Sequence, residues 1–128
     1  MSEIKVDTLT GKTTANDITV TVGATATMSL EQGLAKAWGH FEGDAATPVV
    51  EDGLNFASIT DSGTGNYECN FISALANTTY ATTLTTSQDR FSKTQGITTT
   101  AVGIDTKNTS VTLSDSDDVQ FHLHGDLA

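Results

Sequence analysis

Hydrophobic positions along this chain recur with a period of two rather than 3.6, and clusters of Gly, Asn, Asp and Ser interrupt the pattern. Residues two apart on a strand point to the same side, so the pattern predicts a mainly β chain of short antiparallel strands. Over residues 1–27, Ile4 and Val6 are followed by Ile18, Val20 and Val22, interleaved with Thr19 and Thr21. Gly11 and the Asn16-Asp17 pair punctuate this segment as turns do. It holds too few large side chains to bury a core, and is predicted to be a β stem of two short strands whose apolar faces are covered by partner chains.

Ser29-Leu30-Glu31-Gln32 has the form of a capping box, with the Ser29 hydroxyl accepting from the backbone near Gln32 and the Gln32 side chain reaching back. A short helical linker over 28–41 is therefore expected. Leu30, Leu34, Ala37, Trp38 and Phe41 lie along one face of it if it passes Gly33, where glycine costs about 1 kcal/mol relative to Ala. That stripe would be an interchain seam or a plug under the next domain; the alternative is that Trp38 begins a strand. Residues 42–128 are predicted to form a compact antiparallel β-sandwich-like domain. Its clearest hairpin covers 54–71, where Leu54, Phe56 and Ser58 precede the turn Asp61-Ser62-Gly63-Thr64-Gly65-Asn66 and Tyr67, Cys69 and Phe71 follow it. Further strands are expected around 80–86, 96–102, 109–113 and 119–123.

Composition sharpens this picture in three ways. Leu, Ile, Val and Phe number 28 of 128 residues, near the level of roughly a fifth at which charged chains struggle to fold. One chain alone has little core to spend, which predicts a homotrimer. Thr is the commonest residue, with 24 copies, and its β-branched, hydroxylated side chain suits a strand face that stays wet. The formal charge of −10 argues against nucleic acid as a partner, since phosphate binding needs clustered Lys and Arg. No run approaches the roughly 20 apolar residues of a membrane span, and the N-terminus lacks a signal-peptide core, so no membrane insertion and synthesis in the cytoplasm are expected. The single Cys69 leaves no internal disulfide.

Several constellations carry potential chemistry. Gly63-Thr64-Gly65 leads into a strand rather than a helix, and so reads as a hairpin turn and not as a phosphate loop. Neither Cys69 nor any Ser lies in a catalytic signature, and the chain is not expected to be an enzyme; no cofactor is expected. Asp115-Ser116-Asp117-Asp118 offers oxygen ligands for Ca²⁺ but lacks the Gly and distal Glu of an EF-hand loop, so a solvated turn is the expectation. Asn77-Thr78-Thr79 and Asn108-Thr109-Ser110 fit the glycosylation sequon, which has no consequence without secretion. His122 and His124 share a strand face opposite Val119, Phe121 and Leu123. Two solvated histidines are the commoner outcome of such a pair, and metal ligation by His122 and His124 is the other. His40 has no visible partner.

A resemblance bears on function. The opening Ile4-Lys5-Val6-Asp7-Thr8-Leu9, the link Gln32-Gly33-Leu34-Ala35-Lys36-Ala37-Trp38 and the Ala37-Trp38-Gly39-His40-Phe41 strand are similar to tail-fibre-like proteins of marine and other environmental bacteriophages. So is the hairpin Phe56-Ala57-Ser58-Ile59-Thr60-Asp61-Ser62-Gly63-Thr64-Gly65-Asn66-Tyr67, and the ending Gly125-Asp126-Leu127-Ala128. His40 stands where that family has Asn, Cys69 where it has an apolar residue, and residues 86–120 match no part of it. The resemblance implies a structural protein of the virion surface, assembled in the host cytoplasm, a short trimeric tail fibre or fibre tip. Its partners would be itself as a homotrimer, other virion proteins of tail or capsid, and a host-surface receptor or glycan. Ile4, Val6, Ile18, Val20, Val22, Leu30, Leu34 and Trp38 are the expected trimer and attachment residues. A capsid decoration protein stapling the major capsid lattice is the alternative, and a polysaccharide-cleaving enzyme would need a groove of paired carboxylates that 128 residues hardly accommodate. By likeness to His-x-His sites that cap some phage fibres, His122 and His124 from three chains would surround an axial transition metal.

Overall fold

A computed structural model describes residues 4–10, 18–22 and 24–128. The chain divides into two compact units, Met1–Leu34 and Ala35–Ala128. In the first, β1 (Thr19–Val22) and β2 (Ala26–Ser29) form an antiparallel hairpin with Val20 opposite Met28, and the four-residue helix α1 (Leu30–Gly33) follows. Residues 4–10 form no strand, so of the two predicted stem strands only the one at 18–22 is found, and its partner is β2 rather than the segment around Ile4. The predicted turns at Gly11 and Asn16-Asp17 lie outside the described residues.

The expected helical linker over 28–41 is corrected. The helix is confined to Leu30–Gly33, Leu34 is already extended (φ −99°, ψ 142°), and Ser29 makes no side-chain cap. The Gln32 side chain lies outside the described residues. A single turn ending at Gly33 has too few hydrogen bonds to propagate. Residues 37–42 are taken instead by the sheet: Ala37, Gly39 and Phe41 are buried while Trp38, His40 and Glu42 point outward, a period of two. Leu30, Leu34 and Trp38 therefore do not share a helical stripe, and the β domain begins at residue 35, not 42.

The second unit is an antiparallel β-sandwich. Its strands are β3 (Ala37–Glu42), β4 (Val49–Leu54), β5 (Ser58–Asp61), β6 (Asn66–Asn70), β7 (Ala81–Thr86), β8 (Phe91–Ile97), β9 (Ala101–Lys107) and β10 (Asp118–His124). One sheet runs β4-β3-β10-β7 and the other β5-β6-β9-β8, with every neighbour antiparallel. The first and last strands of the unit are thus central partners, Phe121 lying opposite Gly39 and His122 opposite Trp38. Short links carry the chain between sheets at 55–57 and at 87–90, which puts β4 and β5 along one side of the sandwich and β7 and β8 along the other.

Between the sheets lies an aromatic core. Phe41 packs against Tyr67 with ring centroids 5.2 Å apart, and Phe56 against Phe121 at 5.1 Å, both near edge-to-face. Cys69, Val102, Ile104, Val119 and Leu123 fill the remainder. Gly39 is required by this packing: a Cβ there would stand 2.4 Å from Phe56 Cδ1 and 2.6 Å from Phe121 Cε1.

The predicted hairpin around 61–66 is present as β5 and β6, closed by Ser62 N–H donating to Asn66 O and Gly63 N–H to Asp61 Oδ1. Gly65 has φ +64° and lies so close to Thr106 and Ser114 that a Cβ would approach their backbone to within 2.5 and 2.6 Å; both conditions select glycine. Two predicted strands are corrected. Residues 98–100 turn between β8 and β9, held by Thr98 Oγ1 accepting from Ala101 N–H, so no strand crosses 96–102. Residues 109–113 form a loop in which Asn108 Oδ1 accepts from Ser110 N–H and Thr112 N–H, and only Leu113 makes a bridge, to Lys107. Local Thr and Asn side chains compete there with strand pairing.

Candidate functional surfaces

The end of the sandwich opposite Ala35 is made by the loops at 43–48, 62–65, 87–90 and 108–117. Tyr67 joins three of its segments. Its hydroxyl, buried, lies 2.9 Å from both Gly43 O and Asp115 Oδ1, and Asp115 Oδ1 also accepts from Gly65 N–H at 2.6 Å. Arg90 Nε donates to Asp115 O at 3.0 Å. Burial, and secondarily the Asp115 carboxylate, hold the Tyr67 phenol well above its ordinary range. Asp115 is thus a structural acceptor, in a stretch expected to be only a solvated turn.

Around this junction the surface is acidic. Asp44 and Asp117 are hydrogen-bonded to each other, which raises the Asp44 carboxyl and lowers that of Asp117. Asp118 Oδ1 lies 2.8 Å from His40 Nε2, the partner that the sequence did not reveal for His40. Within one chain, and among the described residues, no three His, Cys, Asp or Glu side chains are grouped so as to hold a metal ion.

His122 and His124 are both exposed on the outer face of β10, with Val119, Phe121 and Leu123 inward, as the period of two predicts. His122 meets Trp38 edge-to-face, centroids 6.4 Å apart, and stands opposite Thr83 of β7. Among the described residues no third ligand stands with these two imidazoles, so an axial metal site would need other copies. Along β7 and β10 runs an open hollow of about 360 Å³ lined by Thr85, Thr86, Ser87, Asp118 and Gln120, with a smaller one of about 140 Å³ beside it reaching His122. The Thr methyl groups and, in the smaller one, the Phe121 ring line these hollows alongside hydroxyl and amide groups.

Of the other expected attachment residues, Ile4, Val6 and Leu34 are exposed, Ile18, Val20 and Leu30 half-buried, and the Val22 side chain lies outside the described residues. Trp38 is half-buried on the outer face of its sheet. Cys69 is fully buried, and burial pushes its thiol well above the ordinary range, so it is packing rather than chemistry. Among the described residues no helix is long and apolar enough to cross a membrane. No protein-family model, curated protein or solved structure matches the chain.

Proposed function

We propose that this chain is a structural protein of a bacteriophage particle, a short homotrimeric fibre-like protein displayed at the virion surface and assembled in the host cytoplasm. The observation that carries the reading is the contrast between the two units. The β-sandwich encloses an aromatic core although it also exposes Ile72, Phe91 and Val111, whereas the N-terminal unit has no fully buried large apolar side chain among its described residues and leaves Ile4 86% exposed and Val6, Leu9, Met28 and Leu34 about half exposed. Large apolar side chains left open in this way are those that association covers. The sequence resemblance of the opening segment and of the 56–67 hairpin to phage tail-fibre-like proteins is what supports reading the particle as a bacteriophage. In this reading the N-terminal unit attaches to other virion proteins, and the open hollow along β7 and β10 is the surface that a host receptor or glycan would meet. In this reading the protein binds and builds rather than catalysing a reaction.

Three measurements test this. Light scattering of the purified chain is expected to give three times the protomer mass of 13.4 kDa, and a folded monomer at micromolar concentration overturns the trimer. Labelling the protein on intact particles in electron micrographs is expected to mark the tail; label spread over the head would replace the fibre by a capsid decoration protein, and no label on any particle would end the virion reading. Deleting residues 1–34 is expected to abolish incorporation while β-sheet circular dichroism persists.

A further inference from the structure

The two open sides of the sandwich differ in charge. Along β4 and β5 the sequence from Val49 to Asp61 contains Glu51, Asp52 and Asp61 and no Lys or Arg. All six residues of β4 are exposed, including Val49, Val50 and Leu54, the last at 48%. The opposite side gathers three of the chain's six basic residues: Arg90 just before β8, Lys93 within it, and Lys107 of β9, which stands directly across from Phe91, against two acids, Asp89 beside Arg90 and Asp105 paired with Lys93. Phe91 is 60% exposed, Ile97 is exposed at the other end of the strand, and the Lys93 side chain, although paired with Asp105 at 3.1 Å, remains 55% exposed. In a chain of net charge −10, a side with three basic residues against two acids, facing away from one with acids and no Lys or Arg, separates charge.

We infer that these edges bind each other between copies: the β4 side of one protomer docks on the β8 side of the next, closing a ring. Like cannot pair with like here. Two β4 edges would oppose Glu51 and Asp52 to their own copies, and two β8 edges would oppose Lys93 and Lys107 to theirs, and like charges brought together across paired strands are destabilising. Only the heterologous contact matches charge, and it also places the exposed Phe91 and Ile97 against the exposed valines and Leu54. A heterologous contact must repeat head to tail until rotation closes it. The number of copies is that of the trimer proposed above, on which this inference rests. β4 and β8 are each the outermost strand of their sheet among the described residues, and an open edge is the liability that association removes.

The test is reciprocal charge reversal in the full chain, read as the concentration at which the oligomer half-dissociates. Glu51→Lys with Asp52→Lys, and separately Phe91→Glu with Lys107→Glu, are each expected to raise that concentration at least about tenfold, whereas a chain carrying all four substitutions returns toward the wild-type value. Circular dichroism of each variant separates dissociation from unfolding, and high salt is expected to weaken the wild-type oligomer. If the wild-type chain is itself a monomer, the trimer reading fails and this one with it. If the wild type is a trimer and folded single-edge reversals dissociate at the wild-type concentration, or the fourfold variant recovers nothing, the trimer stands and the edge contact is wrong.

Discussion

Tyr67→Phe is the sharpest perturbation that the fold offers, because it removes one oxygen and leaves the ring packing with Phe41 in place. The hydroxyl lies 2.9 Å from Gly43 O and 2.9 Å from Asp115 Oδ1, in a residue that is 1% exposed. A hydrogen bond to a charged acceptor contributes about 1.5–3 kcal/mol, and the acceptors left behind are only partly open to water, so a loss of about 2 kcal/mol is expected. For a domain of this size each kcal/mol moves the melting midpoint by about 4–8 °C, which predicts a fall of roughly 8–16 °C. Tyr80 is the internal control: its hydroxyl donates to the neutral carbonyls Thr98 O and Ala101 O at 3.0 and 3.1 Å, and burial pushes its phenol up to about 12. Tyr80→Phe is expected to cost about half as much, near 1 kcal/mol. Thermal melts of both variants, with a double-mutant cycle between Tyr67→Phe and Asp115→Ala, measure the difference. A Tyr67→Phe loss under about 0.5 kcal/mol, or a cycle with no coupling, would show that Gly65 N–H alone satisfies Asp115 and that the junction is not held through Tyr67.

Gly39→Ala is expected to cost about 1–3 kcal/mol in urea unfolding, since the added methyl meets the rings of Phe56 and Phe121 and the core must shift; an unchanged midpoint would mean that those rings repack freely. Val111 is exposed and has φ 62°, a region that penalises a β-branched residue by roughly 1–3 kcal/mol, so Val111→Gly is expected to raise the melting midpoint, and a drop would reveal a packing role. For Asp44, whose carboxyl is raised in the fold by its hydrogen bond to Asp117, the stabilising contribution is complete below the ordinary carboxylate range and is lost as pH rises through the raised value. Asp44→Asn is therefore expected to melt higher than wild type at pH 7, with the advantage shrinking below about pH 4, and a constant difference across that range would contradict the shared proton. Elemental analysis of untagged protein is expected to find about one transition metal per three chains if His122 and His124 meet on an axis, and loss of that metal in the His122→Ala, His124→Ala double variant would assign it; metal-free trimer leaves both histidines simply solvated.

What could be read from the sequence was whatever one strand settles by itself. Val119, Phe121 and Leu123 alternate with His122 and His124 over a strand in which every second side chain is buried, and the 61–66 turn carries its own Gly and Asp signals. The central strand β9 hid its pattern. Every residue of β9 up to Thr106 is buried, because the Gln95 backbone and side chain pack over Gly103 and Lys93 covers Asp105, so Asp105 and Thr106 interrupt what would otherwise read as an apolar run. The helix that the sequence suggested through Phe41 failed for a related reason. Leu34, Ala37, Trp38 and Phe41 fit a helical face as well as Ala37, Gly39 and Phe41 fit a strand face, and only the distant β10, which pairs with β3, decides between them.

That same pairing explains why the polar contacts at the surface were invisible. His40 and Asp118 are 78 positions apart, and Tyr67 and Asp115 are 48; each pair is brought together only once β3 and β10 share a register and β6 and β9 lie side by side in the facing sheet. A one-residue slip of β10 against β3 would send Val119, Phe121 and Leu123 to solvent and bury His122 and Asp118 in their place. Burial of the apolar set therefore fixes the register first, and the His40–Asp118 contact follows from it. The opposite charges of the β4 and β8 edges stand differently. Asp52 accepts from the neighbouring Gly53 N–H, but the register of β3 and β10 fixes neither charge, so the reciprocal reversal reads their part in association more directly than any change in the core.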